Sequence, residues 1–250
     1  MDGSVTLSIS DKIGIIEFHH PKSNSLPKSL LHKLAETITK AGNDNNIAVI
    51  VLKSSGNGAF CAGASFDELM ALSNLDEGRA FFSGFGKVIM AMKNCPKFII
   101  AQVHGKTVGG GVGIVAASDY AIACEEASIK LSELSIGIGP FVIAPVVQRK
   151  IGVSAISSLS INATEWKSAE WAFNKGLYND LLDSKGALEE AVQKLAERLS
   201  GSNPDAMKHI KEMFWTGMGD LGGVLEQRAE ISGRLSLSDF TRNFLRKFKN

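Results

Sequence analysis

The sequence of 250 residues predicts an α/β core followed by an all-helical C-terminal segment. Three observations carry that expectation. Strand-length apolar runs, Ile47 to Leu52 and Phe98 to Val103, are interleaved with stretches whose apolar residues recur at helical spacing. Glycine-rich loops stand where such strands hand over to helices. Beyond residue 184 the pattern is helical only, so strands and helices alternate first and helices follow.

Val5 to Ile9 alternates like a strand with one wet face, and Ile13 to Phe18 reads as its hairpin partner across Asp11-Lys12. Pro27 stands where a first helical residue belongs, followed by Leu30, Leu31, Leu34, Ala35, Ile38 and Ala41 at helical spacing. Ile47 to Leu52 is unbroken and apolar, as expected of a strand covered on both faces. The loop Ser54 to Gly58 leads to Cys61-Ala62-Gly63-Ala64. Phe98 to Val103 repeats the buried-strand pattern and runs on to Gly109-Gly110-Gly111. In the last third, Leu188, Ala191, Val192, Leu195, Ala196 and Leu199 form one helical stripe ended by Gly201. Asn203-Pro204-Asp205 then restarts a helix with a cap, a pre-set φ and an acid at the positive dipole end. The expected division is a core over 1–183 and a helical segment over 184–250.

Lys and Arg total 27 against 26 Asp and Glu, a formal charge of +1. That balance removes the broad attraction that a nucleic acid or an anionic membrane surface would need. Apolar residues at 44% and charged residues at 21% suit a soluble globular chain and argue against disorder. The longest apolar runs are too short to span a bilayer, and the N-terminus carries no pattern of a secretory signal. Cys61, Cys95 and Cys124 are odd in number and lack CxxC spacing, which argues against a disulfide framework or a zinc site and suits a reducing cytosol. The expectation is a soluble, cytoplasmic protein without membrane or nucleic-acid partners.

Two glycine-rich loops could carry chemistry: Cys61-Ala62-Gly63-Ala64 before Phe66, and Val108 to Gly113 before Ile114. Glycine admits a close ligand, and the first turn of a helix offers unpaired N–H donors at a positive dipole end. Two such donors on one oxygen would stabilise developing negative charge. A phosphate cradle fits less well, since GxxxxGK[ST] is absent and Ile114 stands at the third dinucleotide glycine; tight helix–strand packing explains such glycines equally. Glu133, amid Leu131, Leu134, Ile136 and Phe141, is a candidate general base raised toward neutrality by desolvation, or else an exposed capping residue after Ser132. His19, His20, His32, His104 and His209 lack metal-ligand spacing, and no GxSxG is present. Phe240, Phe244 and Phe248 recur every four residues among Arg242, Arg246, Lys247 and Lys249, as in a helix docked on a body or an edge that binds a phosphorylated ligand.

The order of motifs resembles the crotonase superfamily, the enoyl-CoA hydratase/isomerase family. The matching pieces are Pro21 to Leu26, Ala59 to Ala64, His104 to Gly111, Ala117 to Ala123, Glu133 to Gly139 and Phe244 to Lys247. The resemblance implies a crotonase-type α/β fold, a spiral of ββα repeats with a helical C-terminal segment that builds trimers, often paired as hexamers. It implies an acyl-CoA substrate, with CoA as part of that substrate and no other cofactor or metal. By position, the N–H groups of Ala64 and Gly110 would form an oxyanion hole for the thioester oxygen, and Glu133 would be the catalytic glutamate. Ala62, Lys22 and, from a neighbouring subunit, Lys247 would contact CoA.

The sequence departs from two-glutamate hydratases at Gly113, where those enzymes carry a second acid, and Ser65 replaces a common aspartate. Phe141 stands where a related dehalogenase has its nucleophile. The resemblance implies hydration of a short or branched 2-enoyl-CoA; the single glutamate implies a double-bond isomerase as the alternative. A CoA-binding protein without turnover is the reading from another class, and retention of Glu133 speaks against it. Phe66, Met70, Phe82, Phe85, Phe141 and Trp166 are candidates to line an acyl pocket.

Overall fold

The computed structural model describes residues 3–247. Strands β1 (Ser4–Ser10) and β2 (Ile13–His19) form an antiparallel hairpin whose turn residues Asp11 and Lys12 both have positive φ, the turn that suits paired strands. Helix α1 (Lys28–Asn43) buries Leu30, Leu31, Leu34, Ile38 and Ala41. Pro27 is its N-cap, not its first residue: at φ −63° and ψ 161° it is still extended. The cause is Leu26, whose N–H donates to the Gly63 carbonyl and keeps the chain straight for one residue more.

Strand β3 spans Val49–Ser54, two residues later than the apolar run suggests, because Ile47 closes a turn onto the Asp44 carbonyl. The short α2 (Phe66–Ala71) and long α3 (Leu75–Asn94) follow, capped by Ser65 and Asn74. Strands β4 (Ile99–Val103) and β5 (Thr107–Val108) lead to α4 (Gly110–Ala117); β6 (Tyr120–Cys124) and β7 (Ile129–Lys130) lead to a single 3₁₀ turn, Glu133–Ile136. Then come α5 (Ala144–Ile161), bent at Gly152, α6 (Ala169–Asn174) and β8 (Asp180–Leu182). Helices α7 (Lys185–Ser200), α8 (Pro204–Phe214), α9 (Leu221–Ser236) and α10 (Asp239–Arg246) complete the described chain.

The main sheet has the order β1-β2-β3-β4-β6-β8, parallel beyond the first hairpin. A second layer runs across it: β5 pairs with β7, and isolated bridges join Leu26 to Ala64, Cys61 to Thr107 and Ile129 to Lys167. Strands β2, β3, β4 and β6 are each followed by a short second-layer strand or bridge and then helix, the repeat of a ββα spiral. Alternation along the strands serves two cores. Ile50, Leu52, Ala101 and Val103 pack with α1, α3 and α4, while Val49, Val51, Ile100 and Ile122 face Leu188, Val192 and Ala196 of α7. Helix α9 crosses α3 so tightly that a Cβ on Gly78 would lie 2.9 Å from the Gly233 Cα.

On α10 the buried residues are Thr241 and Leu245, whereas Phe240 is 67% exposed. The face that docks is centred on Leu245, which fits among Leu69, Phe81 and Ile138, with Phe240 at its exposed edge and Phe244 half-buried. Phe248 and Lys249 lie outside the described residues. No helix among the described residues is long and apolar enough to cross a membrane.

Candidate active site

The second layer holds the two glycine loops side by side. Ala62 N–H donates to the Ser23 carbonyl (3.1 Å), Val108 N–H to the Cys61 carbonyl (2.8 Å) and Gly109 N–H to the Lys130 carbonyl (2.9 Å). Asn24 fastens the first loop from outside, its amide nitrogen donating to the carbonyls of Ser55 and Ala59 at 2.9 Å each. Gly63 (φ +86°) and Gly109 (φ +53°) have backbones that side-chain-bearing residues rarely adopt. A Cβ at Gly63 would collide with the Val108 carbonyl at 2.9 Å and lie 3.7 Å from the Gly110 nitrogen. The loops approach this closely only because glycine is there.

Within this frame the N–H groups of Ala64 and Gly110 donate to no other group among the described residues. Gly110 opens α4, where a helix has no internal acceptor for its N–H. Both residues line one cavity of about 220 Å³, together with Ala62, Gly63, Gly109 and Glu133. A Cβ on Gly109 would fall 2.9 Å from Glu133 Oε1, so the carboxyl stands against the second loop.

Glu133 begins the 3₁₀ turn, which closes at Gly137 in the left-handed region with Ile138 N–H donating to the Glu133 carbonyl. Its Oε2 is shut off from solvent and bonds no group of the described residues. Burial pushes the carboxyl up from 4.5 to about 7, partly offset by the residue's own backbone N–H. Near neutral pH both the acid and the carboxylate are therefore populated, as a group that takes and returns a proton requires. As the free carboxylate is the base, kcat/KM should rise with pH through about 7 and level off above it. A pH profile whose acid limb lies at the ordinary carboxylate value would contradict that assignment.

The remaining wall is mostly hydrocarbon, with Phe66, Phe82, Phe85 and Phe141 of the expected acyl-pocket residues among the lining. Met70 and Trp166 are not part of it. Trp166 instead stands against two cations, Lys106 Nζ at 5.2 Å and Lys130 Nζ at 4.9 Å from the ring centroid. Phe81, Ile136 and Ser232 line the cavity and were not legible as lining, because the α3–α9 crossing and the 3₁₀ turn bring them there. Phe85 seals the floor, its ring 2.2 Å from where a Gly110 Cβ would be.

The other glycines of the second loop serve packing. Gly111 faces the Cys61 side chain, and a Cβ at Gly113 would meet Ile143 Cγ2 at 2.3 Å. Ile143 thus fills the space beside the position of a second acid, and Glu133 is the single titratable side chain in the lining among the described residues. Lys22 lies outside the cavity lining, exposed and paired with Asp67, a partner 45 residues away that no local pattern announces. Lys247 is exposed at the end of α10 and does not line the cavity either.

Comparison with known proteins identifies the relatives of this chain. A family model described as enoyl-CoA hydratase/isomerase matches residues 8–234. A short-chain-enoyl-CoA hydratase from Clostridium acetobutylicum is 28% identical over 92% of this chain and 88% of its own. A mitochondrial Δ(3,5)-Δ(2,4)-dienoyl-CoA isomerase from Mus musculus is 26% identical over 78% of this chain and 63% of its own. The crystal structure of an enoyl-CoA hydratase from Bacillus halodurans, 22% identical, has the same fold at a TM-score of 0.90, covering 97% of this chain and 99% of that one.

Proposed function

The chain belongs to the enoyl-CoA hydratase/isomerase family, and from that premise we propose that it hydrates a short or branched 2-enoyl-CoA through an enolate held by Ala64 and Gly110. The observation that carries the reading is the convergence of two free main-chain donors and one desolvated carboxyl on a single cavity. Water adds to C3 while the Glu133 carboxylate takes its proton; the C2=C3 pair becomes the C1=C2 bond of the enolate, and the carbonyl π pair moves onto the thioester oxygen. The N–H groups of Ala64 and Gly110 stabilise that charge, each donor lowering the barrier by about 2.7–4 kcal/mol. Protonated Glu133 then returns the proton to C2, and the thioester carbonyl reforms. CoA enters as part of the substrate, with Lys22 and Ala62 on its side of the first loop.

Isomerisation is the second reading, favoured by one observation: Ile143 occupies the space against Gly113, leaving Glu133 without an acidic partner. A 1,3-proton shift needs only one base. Incubation with a 2-enoyl-CoA and a 3-enoyl-CoA separates the two. Hydration predicts a 3-hydroxyacyl-CoA product from the 2-enoyl thioester. Consumption of the 3-enoyl thioester alone would replace hydration by isomerisation, and consumption of neither would remove both.

The assembly we propose is a trimer, or a hexamer of two trimers. Exposed Phe240 packs on Gly137 beside exposed Leu134, an apolar face that supports burial by another subunit. In such an assembly Lys247 would reach a neighbour's CoA phosphates. Cytoplasmic residence is part of the same proposal, and the free, buried thiols of Cys61, Cys95 and Cys124 fit a reducing compartment.

A further inference from the structure

Beyond the two loops, the cavity offers a substrate almost nothing but hydrocarbon. Its polar side chains among the described residues are Glu133, Ser132 and Ser232. The Ser232 hydroxyl donates to the Arg228 carbonyl at 3.1 Å, which commits its proton and leaves only acceptor lone pairs. Ser132 immediately precedes Glu133, so an anion bound by its hydroxyl would sit beside the carboxylate. Among the described residues no Lys, Arg or His lines the cavity. Arg228 is held elsewhere, its Nη1 donating to the Phe141 carbonyl at 3.4 Å.

We infer that this site takes an unsubstituted hydrocarbon acyl chain and rejects one that ends in a carboxylate, the rejecting wall being Phe66, Phe82, Phe85, Ile136, Phe141 and Ile143. A carboxylate placed there loses its water and meets no cation among the described residues, while the free N–H groups of Ala64 and Gly110 are engaged by the thioester oxygen. It would also share a poorly solvated space with Glu133, and like charges in such a space repel strongly. A methyl group at the same point loses nothing and gains contact with the rings. The inference rests on the reading of this cavity as the acyl site.

Pentanoyl-CoA and glutaryl-CoA test it. Both chains have five carbons, they differ only in a terminal methyl against a terminal carboxylate, and neither carries a double bond to react. Dissociation constants measured by calorimetry on the wild-type protein at about pH 8, where both carboxyl groups are ionised, should show glutaryl-CoA binding weaker by about thirtyfold or more. Equal or tighter binding of glutaryl-CoA overturns the inference. If that happens while a 2-enoyl-CoA is still hydrated, the proposed function stands and only the exclusion falls. If neither saturated thioester binds, the cavity is not an acyl site and both fall together.

Discussion

Glu133→Gln is expected to lower turnover by about 10²–10⁴-fold, the usual range for loss of a positioned acid–base group, with CoA affinity little changed. The amide keeps the size and the 3₁₀ turn but can neither take nor return a proton. Wild-type turnover in this variant would remove Glu133 from the mechanism. The same change has a thermodynamic signature. The carboxyl is raised from 4.5 to about 7 by burial, so the folded protein binds a proton that the unfolded chain has already released between those values. Stability therefore falls as pH rises through that window and stays lowered above about 7. Glutamine carries no charge to desolvate. At about pH 8 the variant should be more stable than the wild type by up to about 3 kcal/mol, and the gain should shrink toward pH 5. Thermal denaturation at the two pH values checks it; a less stable variant at pH 8 would mean that the carboxylate is held by a partner.

Lys211→Met is expected to cost about 3–5 kcal/mol of stability, read as a fall in Tm on the order of 10 °C. Lys211 and Asp119 are an ion pair with 3% and 4% of their side chains exposed, joined at 2.8 Å. Lys211 Nζ also donates to the Lys97 carbonyl, and Asp119 Oδ2 accepts from the Ile99 N–H, each at 2.8 Å. The pair therefore ties α8 to the edge where β4 begins. Burial already raises the Asp119 carboxyl, with Lys211 as the main opposing influence. Without the ammonium, Asp119 is an orphaned charge in the interior. A double variant that adds Asp119→Asn removes that charge and should recover much of the loss. If the double variant is as unstable as the single one, the cost lies in packing and not in the charge.

The parts of this molecule that sequence made legible are those set by local pattern. The buried strands follow from unbroken apolar runs, and the two loops from glycines whose close approach at Gly63 and Gly110 admits no side chain. Glu133 stood out as a carboxyl amid apolar neighbours. What was not legible depends on pairings between distant segments. Asp119 was visible as a motif residue, but its partner lies 92 positions away. Ser232 and Phe81 reach the cavity only because Gly78 and Gly233 let α3 and α9 touch. Trp166 has the composition of a pocket wall, yet Lys106 and Lys130 hold it outside the cavity, a pairing that no local pattern announces. Phe240 shares a period with Phe244, yet the residues buried on α10 are Thr241 and Leu245, since the cleft beside Phe81 accepts a leucine.

The most direct test asks whether the protein makes an enolate at all. Butyryl-CoA incubated in heavy water with the enzyme should gain deuterium at C2, seen by NMR, because Glu133 removes that proton while Ala64 and Gly110 hold the charged oxygen; Glu133→Gln should abolish the exchange. A wild-type protein that binds butyryl-CoA and leaves its C2 protons untouched would contradict the account.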